Sequence, residues 1–166
     1  MAATALPDAA TLARLISNVT RMMCGFSFTP LAQPKRVREL CWRMAVISIP
    51  GARFLQIAIS SDRDGCAKLG AAILACPPES LDESMIDDSL CEILNMAAGQ
   101  IKKTIVPDQE LGLPKIVTSP DMLAQIGGKI SGESGGGALP SSSILLRSEG
   151  AADVVLWISE VPLFST

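Results

Sequence analysis

Asp88, Glu92, Asn95 and Gly99 are spaced four, three and four residues apart. At about 100° per residue in an α-helix they fall in one narrow stripe and are neighbours along its surface. Ile86, Leu90, Ile93, Leu94, Ala97 and Ile101 fall in a second stripe, almost diametrically opposite. The apolar stripe must face a core, so the polar one is presented outward. An ionised glutamate only accepts hydrogen bonds and can grip a lysine ammonium. An asparagine amide donates and accepts at once and can hold a water in one orientation. One turn apart, the two suit in-line attack of water on a phosphoryl group held by another molecule. Glycoside hydrolysis needs two carboxylates across a cleft, which this pair does not supply.

The plainer reading is a solvated helix face. It accounts for Glu92, a good exposed helix former. It accounts less well for Asn95, which competes with its own backbone in a helix interior, and for Gly99, which costs about 1 kcal/mol there relative to alanine. Local rules broken on an exposed face point to function. A glycine there lets another backbone come close.

Composition removes most other chemistry. The 166 residues include no histidine and no tyrosine. That excludes the commonest general base, the commonest metal ligand and every Ser-His or Cys-His nucleophile pair. Cys24, Cys41, Cys66, Cys76 and Cys91 are scattered with no C-x-x-C pair. They read as buried free thiols in a reducing compartment, not as a zinc site or disulfides. The net charge of -3, with no basic cluster, argues against nucleic acid. No run of about 18 apolar residues is present, so no membrane span is expected. The first eight residues do not read as a signal peptide. A single cytoplasmic domain over 1–166 is the expectation.

The elements that must position the stripe can be read in outline. Residues 8–24 read as a helix, with Asp8 as N-cap and Gly25 as stop. Residues 26–38, with Pro30, Pro34 and the basic group Lys35, Arg36 and Arg38, read as an extended connection that has room for a short edge strand. Strands 41–49 and 53–60 join through Pro50-Gly51 as a hairpin. In the second strand Phe54, Gln56, Ala58 and Ser60 share one face, and Leu55, Ile57 and Ile59 the other. Ser61-Asp62 starts a helix over 63–75, and the long helix over 82–105 ends before Pro107. Residues 114–118 read as a short strand, 125–143 as a Gly/Ser-rich flexible loop, and 144–148 and 153–161 as a second hairpin. Trp42 and Trp157 fall in strands and read as core or dimer residues. Lys102 and Lys103 suit the C-terminus of their helix. Hairpins without βαβ crossovers give an α+β fold: an antiparallel sheet with long helices packed on one face.

The motif Asp88-x-x-x-Glu92-x-x-Asn95, followed by Pro114, resembles the signature of the CheC/CheX/FliY phosphatases of bacterial chemotaxis. The run Glu92-Ile-Leu-Asn-Met-Ala-Ala-Gly-Gln is similar to that family's E-I-x-N-M-x-x-G-N, and Pro114-Lys-Ile-Val to its P-T-V-I strand. The element order agrees from about residue 9 to residue 161. The resemblance implies a CheC-like fold and, as substrate, the aspartyl phosphate of a phosphorylated CheY-like receiver domain. Glu92 would pair with the receiver's lysine and Asn95 would position the attacking water. Asp88 would support the contact, Gly99 would face the partner and Pro114 would shape the flank. Magnesium would be held by the receiver, so no cofactor or metal is implied for this chain.

Two departures matter. The gap from Asn95 to Pro114 is shorter than in the usual motif. The second Glu-x-x-Asn that CheC-type members carry on the first helix is here Leu15-x-x-Asn18, without a glutamate. At most one site is therefore expected, as in CheX, whose members are homodimers through their sheets; strand 153–161 is a candidate for that contact. One rival is a CheX-like module that binds a receiver or another signalling protein without hydrolysing anything. A second, a nucleotide enzyme using the Gly-rich loop, is disfavoured: Gly128-Lys129-Ile130-Ser131 lacks the ending of a P-loop and does not lie between a strand and a helix.

Overall fold

The computed structural model describes residues 5–31, 37–130, 141–148 and 152–162. In chain order it holds α1 (Ala9–Cys24), β1 (Phe28–Leu31), β2 (Arg43–Ile49), β3 (Leu55–Ser61), α2 (Arg63–Leu74), α3 (Glu83–Ile105), β4 (Lys115–Val117), α4 (Pro120–Ile130), β5 (Ser141–Ser148) and β6 (Asp153–Ser159). The six strands form one antiparallel sheet in the order β1-β5-β6-β3-β2-β4.

Each long helix begins on an aspartate whose carboxylate satisfies an otherwise orphaned backbone N–H. Asp8 accepts from Thr11 N at 2.8 Å, Asp62 from Gly65 N at 2.7 Å and Asp82 from Met85 N at 2.8 Å. Helix α1 stops where Gly25 turns left-handed, at φ 76°. Helix α3 stops at Val106, directly before Pro107, and Lys102 Nζ donates to the Pro107 carbonyl at 2.6 Å. The two lysines of its last turn thus serve the helix end.

Strand alternation gives the sheet two apolar faces. Ala45, Ile47 and Ile49 of β2, Leu55, Ile57 and Ile59 of β3, and Val154, Leu156 and Ile158 of β6 pack with α1, α2 and α3 into the main core. The three long helices therefore share one face, as the hairpin pattern implies. On the other face Met44, Val46, Ala58 and Trp157 pack with Val117 and with Leu123 and Ile126 of α4. Nearby, Val155 packs with Val37 and Leu40, the latter in a 3-10 turn, Arg38–Leu40.

Helix α4 corrects the sequence reading. Residues 125–130 belong to it instead of to a loop, and 141–143 belong to β5. Residues 131–140 of the expected loop, like Lys35 and Arg36, lie outside the described residues. Burial of Leu123 and Ile126 outweighs the helix penalty of Gly127 and Gly128.

A second correction concerns β6. It is paired on both sides, to β5 and to β3, so it offers no edge to another copy. Among the described residues the sheet edges are β1 and β4. Pro30 lies in β1, where the missing backbone donor is tolerated. Pairing also crosses the halves of the chain. Strand β1 adds to the C-terminal hairpin through β5, and β4 adds to the N-terminal hairpin through β2.

Candidate functional site

Helix α3 turns its core stripe inward: Ile86, Leu90, Ile93, Leu94, Ala97 and Ile101 are at most 5% exposed. The opposite stripe is thereby fixed outward, and Asp88, Glu92 and Asn95 are exposed. At about 1.5 Å rise per residue, Glu92 and Asn95 sit about 4.5 Å apart along the axis, and the stripe from Asp88 to Gly99 runs about 16 Å. No hydrogen bond or ion pair engages the Asp88, Glu92 or Asn95 side chains among the described residues. A Cβ added at Gly99 would meet no heavy atom within 4 Å. The chain's own packing thus gives no reason for glycine there.

Pro114 stands apart from the helix stripe. The backbone before it is drawn to β2 by Gly112 N, which donates to the Ser48 carbonyl at 2.9 Å. A Cβ at Gly112 would meet that oxygen at 2.6 Å, so the close approach requires glycine. Strand β4 pairs Lys115 with Val46 and Ile116 with Ala45. Extending this register by one residue sets Pro114 opposite Ile47, whose side chain is on the face that carries α3. Pro114 is half-buried at that edge.

The acidic beginning of α3 is tied down by a residue that sequence reasoning missed. Arg43 Nη2 donates to Glu83 Oε2 at 2.5 Å, and Arg43 Nε lies 3.2 Å from Asp87 Oδ1. Its guanidinium rests over the Trp42 ring at 4.6 Å, and that of Arg63 lies 5.7 Å from the same ring. The available signal was alternation: Arg43 shares the inward parity of Ala45, Ile47 and Ile49, and an inward arginine calls for partners. Burial pushes the Asp87 carboxyl above its ordinary range, and Arg43 pulls it partly back.

Cysteine adds no nucleophile here. Burial, then the carboxylates of Asp88 and Asp87, push the Cys91 thiol up. Burial pushes Cys66 up to about 12. Thiols raised in this way stay protonated at neutral pH. Among the described residues no group of three or more His, Cys, Asp or Glu side chains is placed to hold a metal ion.

Helix α1 offers the same frame without the acid. Asn18 is exposed, but Leu15 is 8% exposed and belongs to the main core. Among the described residues only α3 pairs a carboxylate with an amide in this frame. Among the described residues no helix is long and apolar enough to cross a membrane.

Solved structures share the fold. The chemotaxis protein CheX from Vibrio vulnificus superposes with a TM-score of 0.65 at 16% identity, over 94% of this chain and 98% of that one. CheX from Desulfovibrio desulfuricans gives 0.61 at 14% identity, over 89% and 97%. CheX in the CheX-CheY-BeF3-Mg2+ complex from Borrelia burgdorferi gives 0.64 at 13% identity, over 92% and 97%. Comparison with curated protein sequences finds no match. The family model described as chemotaxis phosphatase CheX matches residues 43–132, a span that contains Asp88, Glu92, Asn95, Gly99 and Pro114, and the chain belongs to that family.

Proposed function

We propose that this protein accelerates hydrolysis of the aspartyl phosphate on a CheY-like receiver domain. The observation that carries the reading is the outward stripe of α3. An acid and an amide one turn apart, neither engaged within the described chain, stand on a helix whose other face is locked into the core. Family membership and the fold shared with a CheX that forms a complex with CheY support it.

In this reading Glu92 accepts a charge-assisted hydrogen bond from the receiver's lysine, which orients the receiver on α3. Asn95 reaches the phosphoryl group and holds a water in line with the bond to be broken. The water oxygen attacks phosphorus, the bond to the aspartyl oxygen breaks, and inorganic phosphate leaves. Restricting the water's orientation removes an entropic part of the barrier. Magnesium belongs to the receiver. Asp88 adds negative charge beside Glu92, Gly99 leaves room for the receiver's backbone, and Pro114 shapes the flank.

The test mixes the purified chain with a panel of phosphorylated receivers and follows phosphate loss. Faster loss is expected for at least one receiver, falling by about 100-fold or more in Asn95→Ala, as for removal of a group that positions a reactant. Glu92→Ala is expected to weaken receiver binding as well. Both side chains are exposed, so thermal stability should change by less than about 0.5 kcal/mol. Binding with unchanged decay would leave a receiver-binding module and overturn the catalytic reading.

A further inference from the structure

Helix α1 packs against α3 on the same face of the sheet, so the outward faces of both helices point away from it. On α1, Arg14, Asn18 and Met22 are spaced four residues apart, and all three are exposed. They form one stripe about 12 Å long. Asn18 holds in α1 the place that Asn95 holds in α3. Met22 follows it by four residues, as Gly99 follows Asn95.

Packing within the described chain does not account for this stripe. Arg14 lies in the first half of α1, where a cation gains nothing from the helix dipole. The helix carries no aspartate or glutamate to pair with it. Hydrogen bonding from Thr11, and then the charge of Arg14 at a distance, hold the capping carboxyl of Asp8 below its ordinary range. No hydrogen bond or ion pair engages the Arg14 or Asn18 side chains among the described residues. Met22 is 89% exposed, more than any other large apolar side chain among the described residues. Arg21 differs: its Nε donates to Ser27 Oγ at 3.1 Å, and its place in the last turn suits the dipole.

Size brings this stripe within reach of a partner on α3. A stable interface covers about 800 Å² per partner, a patch roughly 30 Å across. A helix with its side chains is about 10–12 Å wide, and packed helices lie about 8–10 Å apart. A partner seated on the α3 stripe therefore extends onto a neighbouring helix. Helix α2 also packs on α3, but its Lys68 is paired with Asp64 at 2.7 Å. Helix α1 offers an unpaired guanidinium, an amide and a flexible thioether. Arginine and methionine are enriched at protein interfaces.

Building on the receiver-docking role given to α3, we propose that the Arg14–Asn18–Met22 face of α1 is the second half of that docking surface and decides which receiver is accepted. The accepted receiver carries two unlike patches. One holds the lysine that meets Glu92. The other, about one helix spacing away, holds a carboxylate beside an apolar side chain. The carboxylate pairs with Arg14, and the apolar group packs on Met22. A receiver with a basic group at that place meets Arg14 with like charge and is rejected.

The test uses the whole chain and a panel of purified receivers. Binding is measured with beryllofluoride-loaded receivers, and turnover with phosphorylated ones. Arg14→Glu should weaken binding and raise KM about tenfold or more, with little change in kcat, as for loss of binding shared by ground and transition states. Met22→Ser should do the same by a smaller factor. A receiver variant with lysine in place of one surface carboxylate should regain affinity for Arg14→Glu. Thermal midpoints should not move, because both side chains are exposed. Should Arg14→Glu fail to fold, Arg14→Gln and Met22→Ser carry the test. Turnover with KM unchanged in these variants overturns the role of α1 and leaves the phosphatase reading standing. Binding that weakens in Arg14→Glu, with no turnover in the native chain, supports the α1 surface and overturns catalysis. Binding of no receiver overturns both. A dimer in sedimentation that Arg14→Glu dissolves, with receiver affinity unchanged, gives the face to a second copy and overturns the receiver assignment.

Discussion

At the scale of single residues, Gly99 separates stability from function. With open space where its Cβ would be, Gly99→Ala should raise stability by up to about 1 kcal/mol, read as a higher thermal midpoint. The same change should slow receiver dephosphorylation, because a methyl group then stands where the partner's backbone approaches. Unchanged turnover would remove Gly99 from the interface. Asp87 gives a pH-dependent test. Burial raises its carboxyl in the folded chain above the ordinary 3.8, so the folded state binds the proton more readily than the unfolded state. Its contribution to stability therefore grows as pH falls through the folded value toward 3.8. The stability of the native chain relative to Asp87→Asn should rise between neutral pH and pH 4. A difference that falls on acidification would show that Arg43 dominates over burial. The outward stripe of α3 was legible because helical periodicity is a local property of sequence. Arg43 was not, because its partners, Glu83 and Asp87, are forty and more residues away.

At the scale of elements, Gln109 fastens the connection after α3 to the β2–β3 hairpin. Its amide accepts from Arg53 N at 2.9 Å and donates to the carbonyls of Arg53 and Pro50 at 2.7 and 3.4 Å. A Cβ at Gly51, where φ is 147°, would meet the Gln109 side chain at 2.5 Å. Gln109→Ala should cost about 1–3 kcal/mol through the backbone groups it leaves unpaired, measured by denaturant unfolding. Loss confined to the hairpin tip, with no global change, would mean the clamp is local. Helix α1, the first hairpin and α3 were readable from caps, turn residues and apolar spacing. Helix α4 was hidden because Gly127 and Gly128 weigh against a helix locally, while the apolar sheet face that stabilises it is assembled from distant strands. The interior place of β6 was equally hidden: a hairpin pattern specifies which strands are sequential neighbours, and β6 meets β3 only through the fold.

At the scale of the whole molecule, one arrangement occurs twice. A helix, a single strand and a hairpin run as α1, β1, β2–β3 and again as α3, β4, β5–β6. Each single strand is donated to the hairpin of the other half, and β3 meets β6 at the centre. The halves differ in chemistry, with Leu15 buried in one frame and Glu92 exposed in the other. Because edges are shared, neither half should fold alone. Separate fragments 1–81 and 82–166 are expected to give no cooperative thermal transition singly and to recover one when mixed. A cooperative transition in fragment 1–81 alone would refute this interdependence.

The exchange of β1 also sets a timetable for synthesis. Thr29 donates to the carbonyl of Arg147, 118 residues later. At ribosomal rates of about 5–20 residues per second, β1 is made about 6–24 s before its pairing strand is complete. During that interval the nascent chain displays an apolar strand edge around Phe28 that has nothing to add to. Slower translation lengthens the exposure. The yield of folded protein in a cell should therefore depend on elongation speed and on chaperones that bind extended apolar segments, even though the finished sheet buries Phe28 completely enough to hide the hazard.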